Sequence, residues 1–227
     1  CTGNTYGSAE DTRYNGEQTI NTGTIAGGFR LFDYCRGYDD SVTPATGGIW
    51  TRSDASAGYE YENSTTTWTS AEDETQVHWS AMKIFDYFAE RGWDSYDNQN
   101  SIMVQYLGTV SVPSYFNRDY VNNKGSVYAS LVEDNYYQKY APIGIDIIAH
   151  EWTHGILMFG ARLDETTVKE TSDMGHAFGD IVGQLVECYA ESECGNASRC
   201  SNYIFGEVIE PNLADPEDAY PGQRDME

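Results

Sequence analysis

The hydrophobic pattern of the first 69 residues predicts strands. Short apolar pieces such as FRLFDY and GGIW lie between runs of Gly, Thr, Ser and Asp. Such pieces are typical of short strands joined by turns. Residues 101–140 carry two more strand-like pieces, SIMVQYL and GSVYASLV, with loops between them.

Between these two β-type stretches the period becomes helical. The apolar residues that recur at helical spacing are Val77, Ala81, Ile84, Phe85 and Phe88. Ser70 with Asp73 resembles a capping box, and Gly92 follows the last apolar residue. We therefore expect one long helix near 71–91.

The last third of the chain changes character again. Two apolar segments, about 143–160 and 172–191, predict helices joined by a polar stretch, and the tail 210–227 reads as loop. The expected fold class is α+β, with an N-terminal mostly β lobe over 1–145. The beginning of a C-terminal α-helical lobe follows over 146–227.

Charge excludes several kinds of partner. The chain has a formal net charge of −23 and only 13 basic residues. Phosphate recognition needs basic patches, so nucleic acid and anionic membrane surfaces are not expected partners. No apolar run reaches the roughly 18 residues that a membrane helix needs, and the N-terminus lacks a signal-peptide pattern.

The five cysteines favour disulfide bonds over a thiolate metal site, because no CxxC occurs. Cys194 and Cys200 bracket a short loop, and Cys1 could join Cys35. Cys188 lies inside an apolar helical stretch and is expected to be a buried free thiol. Disulfide bonds indicate a secreted, extracellular setting.

The segment His150-Glu151-Trp152-Thr153-His154 carries the strongest chemical signal. Histidines four residues apart on a helix share one face, so both imidazoles can bind one zinc ion. Glu151 lies beside that face, where a carboxylate can take a proton from an activated water molecule. The flanking isoleucines supply an apolar helix body without proline.

A third zinc ligand has to come from elsewhere, and two residues compete for this role. His176 is followed four residues later by Asp180, so one of them can bind metal while the other supports the site. Glu170 is the rival, since a carboxylate is the commoner partner of this motif. His78, on the earlier predicted helix, is interpreted as structural.

The motifs DIIAHEWTHGI and GDIVGQLVECYA together resemble the zinc-binding region of thermolysin-like metallopeptidases. Weaker similarity covers most of the chain in the same order, at NGEQTI, VHWSAMKIFDYFAERG, YIFGEVI and LADPEDAY. The family pattern places a zinc-binding glutamate four residues before the Asp of a D-x-x-G-x-x-x-E run. Here that run begins at Asp180 and ends at Glu187, so His176 stands in the glutamate position.

The resemblance therefore implies a three-histidine zinc site that carries one negative charge less than the family's usual site. It also implies that Asp180 accepts a hydrogen bond from the ring of His150. Calcium carboxylates of the family map onto Asp146 and Glu187. They map further onto Glu207, and less closely onto Asn202.

Three expected family residues do not match. Pro211 occupies the position of a substrate-binding arginine, and Glu165 lies near that of an oxyanion-assisting tyrosine. An oxyanion-stabilising histidine belongs to a C-terminal helical subdomain that would begin after Glu227. We expect a second chain or fragment to supply that subdomain.

These observations predict a secreted zinc endopeptidase with its zinc cleft between the two lobes, Glu151 as general base, and protein or peptide substrates. The alternative is a weakened or inactive metal-binding homologue that acts as an extracellular binding module. The missing cleft residues are the reason for considering this alternative, and a peptidase assay with and without chelator separates the two.

Overall fold

The computed structural model describes residues 4–43, 45–53, 59–108, 114–119, 122, 124–131, 143–163, 169–193, 204–205 and 224–225. Strands dominate the first part of the chain and helices follow, as predicted, so the fold is mixed α+β. The elements in chain order are β1 (Asn4–Thr12), β2 (Gly16–Ile25), β3 (Gly28–Arg30), β4 (Phe32–Asp33), β5 (Ile49–Ser53), β6 (Glu62–Asn63), β7 (Thr67–Trp68), α1 (Glu72–Ala89), β8 (Met103–Gly108), β9 (Tyr115–Asp119), β10 (Lys124–Ser130), α2 (Ile145–Phe159), α3 (Lys169–Glu193), β11 (Ile204–Phe205) and β12 (Arg224–Asp225).

The first sheet has the strand order β6-β3-β2-β1-β7. Its centre is the β1–β2 hairpin, which pairs Asn4 with Gly23 at one end and Thr12 with Gly16 at the other. The prediction of short strands is wrong for this hairpin, because β1 and β2 have nine and ten residues. Thr, Ser, Asn and Gln fill nine of their 19 positions, so backbone pairing holds these strands without an apolar alternation in the sequence.

The second sheet has the order β4-β5-β8-β10-β9 and contains the predicted pieces GGIW, SIMVQYL and GSVYASLV. Strands β5, β8 and β10 run parallel, whereas β9 pairs antiparallel with β10 and forms one edge. Alternation along β8 buries Met103, Gln105 and Leu107. The edge strand β9 matters below, because α2 packs beside it.

Helix α1 contacts strands of both sheets and contributes much of the core, including Val77, Trp79 and Ile84. The predicted capping box is wrong: Ala71 is the N-cap, and Asp73 instead accepts a hydrogen bond from Arg13 at 2.8 Å. The predicted stop is confirmed. Gly92 has φ +77°, a conformation glycine adopts without strain, and the following amide donates to the carbonyl of Phe88.

Helices α2 and α3 pack against each other, and α2 also contacts α1, β9 and β10. Both are found where the apolar pattern predicted them, although α3 begins three residues earlier than expected. Within the tail expected to be loop, Arg224 and Asp225 form a short strand paired with β11. None of the described helices is long and apolar enough to cross a membrane.

Candidate metal centre

Helix α2 presents His150 and His154 from one face, as their spacing requires. Both side chains are buried, at 5% and 6% exposure, and their ring centroids lie 4.8 Å apart. The helix begins after Gly144 and contains no proline. Ten of the eleven residues in the range 145–155 are buried. Burial of nearly all of this part of α2 leaves the two imidazoles little freedom to move.

Helix α3 brings His176 to the same place. Its Nδ1 lies 3.1 Å from Nε2 of His150, and its ring centroid is 4.8 Å from that of His154. One nitrogen from each of the three rings falls within 4.8 Å of the others. Unlike the side chains of His150 and His154, that of His176 is exposed. Solvent therefore reaches the cluster at His176.

The donor set fits a metal ion. In a tetrahedral zinc site with Zn–N bonds of 2.0–2.1 Å, two ligand nitrogens lie about 3.3 Å apart. The 3.1 Å between His150 Nε2 and His176 Nδ1 is close to that value. Neutral imidazole nitrogens are common zinc ligands, so this histidine triad can hold a metal.

Asp180 supports the ring of His150. Its Oδ1 lies 2.8 Å from Nδ1 of His150, and both side chains are buried. The ring and the carboxylate are in contact at this distance, although the ring N–H is not well aligned with the oxygen. A carboxylate here favours the tautomer with hydrogen on Nδ1, which leaves Nε2 of His150 with its lone pair facing His176.

Gly179 is a site residue that the sequence reasoning missed. A Cβ atom at this position would lie 2.6 Å from Nδ1 of His150, so the imidazole packs directly on the α3 backbone. Real Cβ contacts are never that short, and any other residue would displace the ring. Its place between His176 and Asp180 was visible in the sequence, but the contact partner lies 29 positions away.

Glu151 is half-buried beside the histidines and has an unexpected partner. Its Oε2 accepts a hydrogen bond of 3.0 Å from the backbone amide of Phe116, on the edge strand β9. Nothing in the sequence around Phe116 signals this contact, since a backbone amide carries no residue signature.

Two other candidates lie outside the cluster. Glu170 is exposed on the first turn of α3 and is not a member of the metal-binding group. His78 is fully buried on α1, where it contacts Thr51 Oγ1 at 2.8 Å and the carbonyl of Asn21 at 2.9 Å. Burial lowers the pKa of His78 to about 4, so this imidazole is neutral.

The residues expected to bind calcium are only partly described. Asp146 on α2 and Glu187 on α3 are both buried, and Oε2 of Glu187 accepts a hydrogen bond from Gln184. Among the described residues, one group of three or more His, Cys, Asp or Glu side chains is close enough to share an ion. This group is the histidine triad, and it contains neither Asp146 nor Glu187. Asn202 and Glu207 lie outside the described residues. Glu191, one turn after Glu187, is a further buried acid that the sequence reasoning did not single out.

Comparison with known proteins agrees with this geometry. The family model of the thermolysin metallopeptidase catalytic domain matches residues 7–158, which include His150, Glu151 and His154. The thermostable neutral protease NprT of Geobacillus stearothermophilus is 28% identical over 180 residues, covering 78% of this chain and 29% of that protein. A thermolysin of Alicyclobacillus acidocaldarius is 32% identical over 117 residues, or 50% of this chain and 20% of that protein.

A solved structure shares the fold. The precursor of protealysin, a metalloproteinase from Serratia proteamaculans, superposes with a TM-score of 0.50 at 16% identity, covering 63% of this chain and 44% of that chain. The chain thus spans less than a third of the length of the curated relatives it matches. With the family model matching two thirds of the sequence, this chain belongs to the thermolysin metallopeptidase catalytic-domain family.

Proposed function

We propose that this protein is a zinc-dependent endopeptidase in which His150, His154 and His176 hold the metal. The observation that carries the proposal is the convergence of three imidazole nitrogens within 4.8 Å beside a half-buried glutamate. Zinc is typical of the family, and its relatives include a neutral protease and thermolysins. When bound, zinc would supply Lewis-acid polarisation of water and of the scissile carbonyl.

The chain's own residues would divide the remaining tasks. Asp180 holds the tautomer of His150 that presents a lone pair to the metal. Glu151 is the general base: it takes a proton from the attacking water and passes it to the leaving amine. The amide of Phe116 donates a hydrogen bond to Oε2 of Glu151 and so helps to orient this carboxylate.

The test of this function is Glu151→Gln, with Glu170→Gln as the matched control. Both variants exchange one carboxylate for an amide, but only the first changes the proposed base. General acid–base catalysis contributes roughly 10²–10⁴-fold, so kcat should fall by that factor in Glu151→Gln while zinc content stays the same. Hydrolysis of a casein or peptide substrate and zinc analysis are the two measurements.

Each other outcome has a definite meaning. Full activity in Glu151→Gln refutes the general base. Loss of zinc together with activity makes Glu151 a structural residue. A wild-type protein that binds zinc yet hydrolyses nothing, with or without chelator, supports the alternative function of an extracellular metal-binding module.

Calcium and secretion belong to the same proposal. Buried carboxylates such as Asp146 and Glu187 need a compensating charge or hydrogen bonds, and a calcium ion supplies the charge. The family is typically secreted, and Cys35 is a disulfide-bonded cysteine, which supports an oxidising setting. Its expected partner Cys1 lies outside the described residues, as do Cys194 and Cys200, whereas Cys188 is half-buried and is not disulfide-bonded.

We also propose that a further polypeptide packs on α3. Met174, Phe178, Ile181 and Leu185 form an apolar stripe at helical spacing, and each is 43–49% exposed. The relatives contain much more polypeptide than this chain matches, which supports a helical unit of the same enzyme as the occupant. The native mass of the unreduced protein from its source should exceed that of this chain, and a mass of 25.4 kDa would contradict the proposal.

A further inference from the structure

The edge strand β9 contacts the candidate catalytic base through the backbone amide of Phe116. Strand β9 pairs with β10 on one side and forms the edge of the second sheet on the other. Its Phe116 amide donates to Oε2 of Glu151 at 3.0 Å. The position of β9 therefore sets where one carboxylate oxygen of Glu151 lies.

The side chain of Phe116 is held between two glycines on different elements. A Cβ atom on Gly125 of β10 would lie 2.3 Å from the Phe116 ring, and one on Gly155 of α2 would lie 2.6 Å from it. Both distances are below any that real side chains show. The ring thus fits only because both neighbours lack a side chain, and it cannot shift towards either without a clash with the backbone.

The space between Gly125 and Gly155 that holds the Phe116 ring is called the slot below. Aromatic side chains line the rest of it. The Phe116 ring meets Tyr96, Trp152 and Phe159 edge-on, at centroid distances of 6.2, 6.0 and 6.4 Å. The hydroxyl of Tyr96 accepts a hydrogen bond of 2.9 Å from the amide of Gly125. The buried Tyr96 ring also stacks on that of Trp152, inside the HEWTH motif. Helix α2 and strand β10 are therefore joined through the slot.

We propose that Phe116, seated between Gly125 and Gly155, is a positioning residue for Glu151. The ring fixes the register and height of β9 against α2, so that the Phe116 amide meets the carboxylate. The inference rests on the proposed function as far as catalysis is concerned. The geometric part, which is the dependence of the amide–carboxylate contact on the slot, stands without it.

The test separates this contact from metal binding by comparing two Gly→Ala variants. Gly155→Ala should push Phe116 out of its slot, leave zinc content unchanged and lower kcat by roughly 10- to 100-fold, more than KM changes, because a misplacement of about 1 Å can cost that much. Gly179→Ala, whose new methyl group would meet His150 instead, should lower zinc affinity. Ser126→Ala, beside Gly125 but half-buried on the opposite side of β10, is the control.

Rescue distinguishes positioning from general damage. Leucine is shorter than phenylalanine, so the double variant Gly155→Ala/Phe116→Leu should recover at least part of kcat relative to Gly155→Ala. A double variant with no better kcat than Gly155→Ala overturns the positioning role. If Gly155→Ala does not fold, Gly125→Ala probes the same ring from β10.

Amide hydrogen exchange in the metal-free protein tests the geometry without any activity. Exchange at the Phe116 amide should accelerate about tenfold or more in Gly155→Ala, and also in Glu151→Ala, which removes the acceptor. Unchanged exchange in both variants overturns the inference. A wild-type protein that is inactive with zinc but shows these exchange effects would defeat the proposed function and leave the positioning contact intact.

Discussion

The buried histidine of α1 predicts a specific dependence of stability on pH. His78 Nε2 faces the carbonyl of Asn21, which can only accept, so Nε2 carries the hydrogen. Its Nδ1 then accepts from the hydroxyl of Thr51, and that hydroxyl accepts in turn from the Gln105 amide at 2.7 Å. This chain of donors and acceptors is complete only when the imidazole is neutral.

The size of the effect follows from the pKa of His78. Burial is the largest cause of its fall from 6.5 to about 4, with the charge of Asp33 raising it and that of Arg36 lowering it. The unfolded chain therefore binds a proton that the folded chain excludes between these two values. The contribution of neutral His78 to the free energy of unfolding is fully present above pH 6.5. It is lost as pH falls towards 4, and the total loss is about 3 kcal/mol.

Urea unfolding of metal-free wild-type protein and His78→Gln at pH 7.0 and 5.5 measures this contribution. The wild type should lose about 1.2 kcal/mol more than the variant between these pH values. The other three histidines are present in both proteins, so their contribution cancels in the comparison. An equal loss in the two proteins would show that folding does not lower the pKa of His78, and the neutral network would be wrong.

Three further predictions concern the metal sites. His176→Ala should strip zinc, because two protein ligands rarely hold it, while Glu170→Ala should leave the metal content intact; the reverse result would return the third ligand to a carboxylate. Asp180→Asn should weaken zinc affinity by roughly 10–100-fold in a competition titration, as loss of a supporting carboxylate typically does, and an unchanged affinity would remove its role in orienting the His150 ring. If Asp146 and Glu187 share a calcium ion, raising free calcium to 100 times its Kd at constant zinc should stabilise the protein by about 2.7 kcal/mol. A melting temperature that does not change with calcium concentration would show that the two residues are buried acids without a bound ion.

The local features of this protein were readable because they depend on neighbours in the sequence. Helical period placed α1, α2 and α3 within a few residues, and spacing of four put His150 and His154 on one face. The same rule paired His176 with Asp180, although residue spacing alone left Glu170 open as a rival. The lobe boundary at 145/146 stays a prediction.

What the sequence could not determine depends on contacts between distant segments. The sequence pattern predicted a capping box of Ser70 and Asp73 at the start of α1. In the fold Ala71 is the N-cap, and Asp73 binds Arg13, which lies 60 residues earlier in the chain. The polar hairpin β1–β2 is held by backbone pairing, which leaves no hydrophobic signature. The spacing motif identified Glu151, but only packing of β9 against α2 showed that the Phe116 amide holds it.

The sequence by itself determined the chemistry: which residue types can bind a metal, and on which helices they lie. Only the tertiary structure showed that His176 lies within 3.1 Å of His150. It also showed that the His150 ring packs on Gly179 and that Phe116 lies between two glycines. The physical reason is that a helix fixes only the relative directions of its own side chains. The distances between side chains of different elements are set by close packing, in which even a missing Cβ atom decides what can approach.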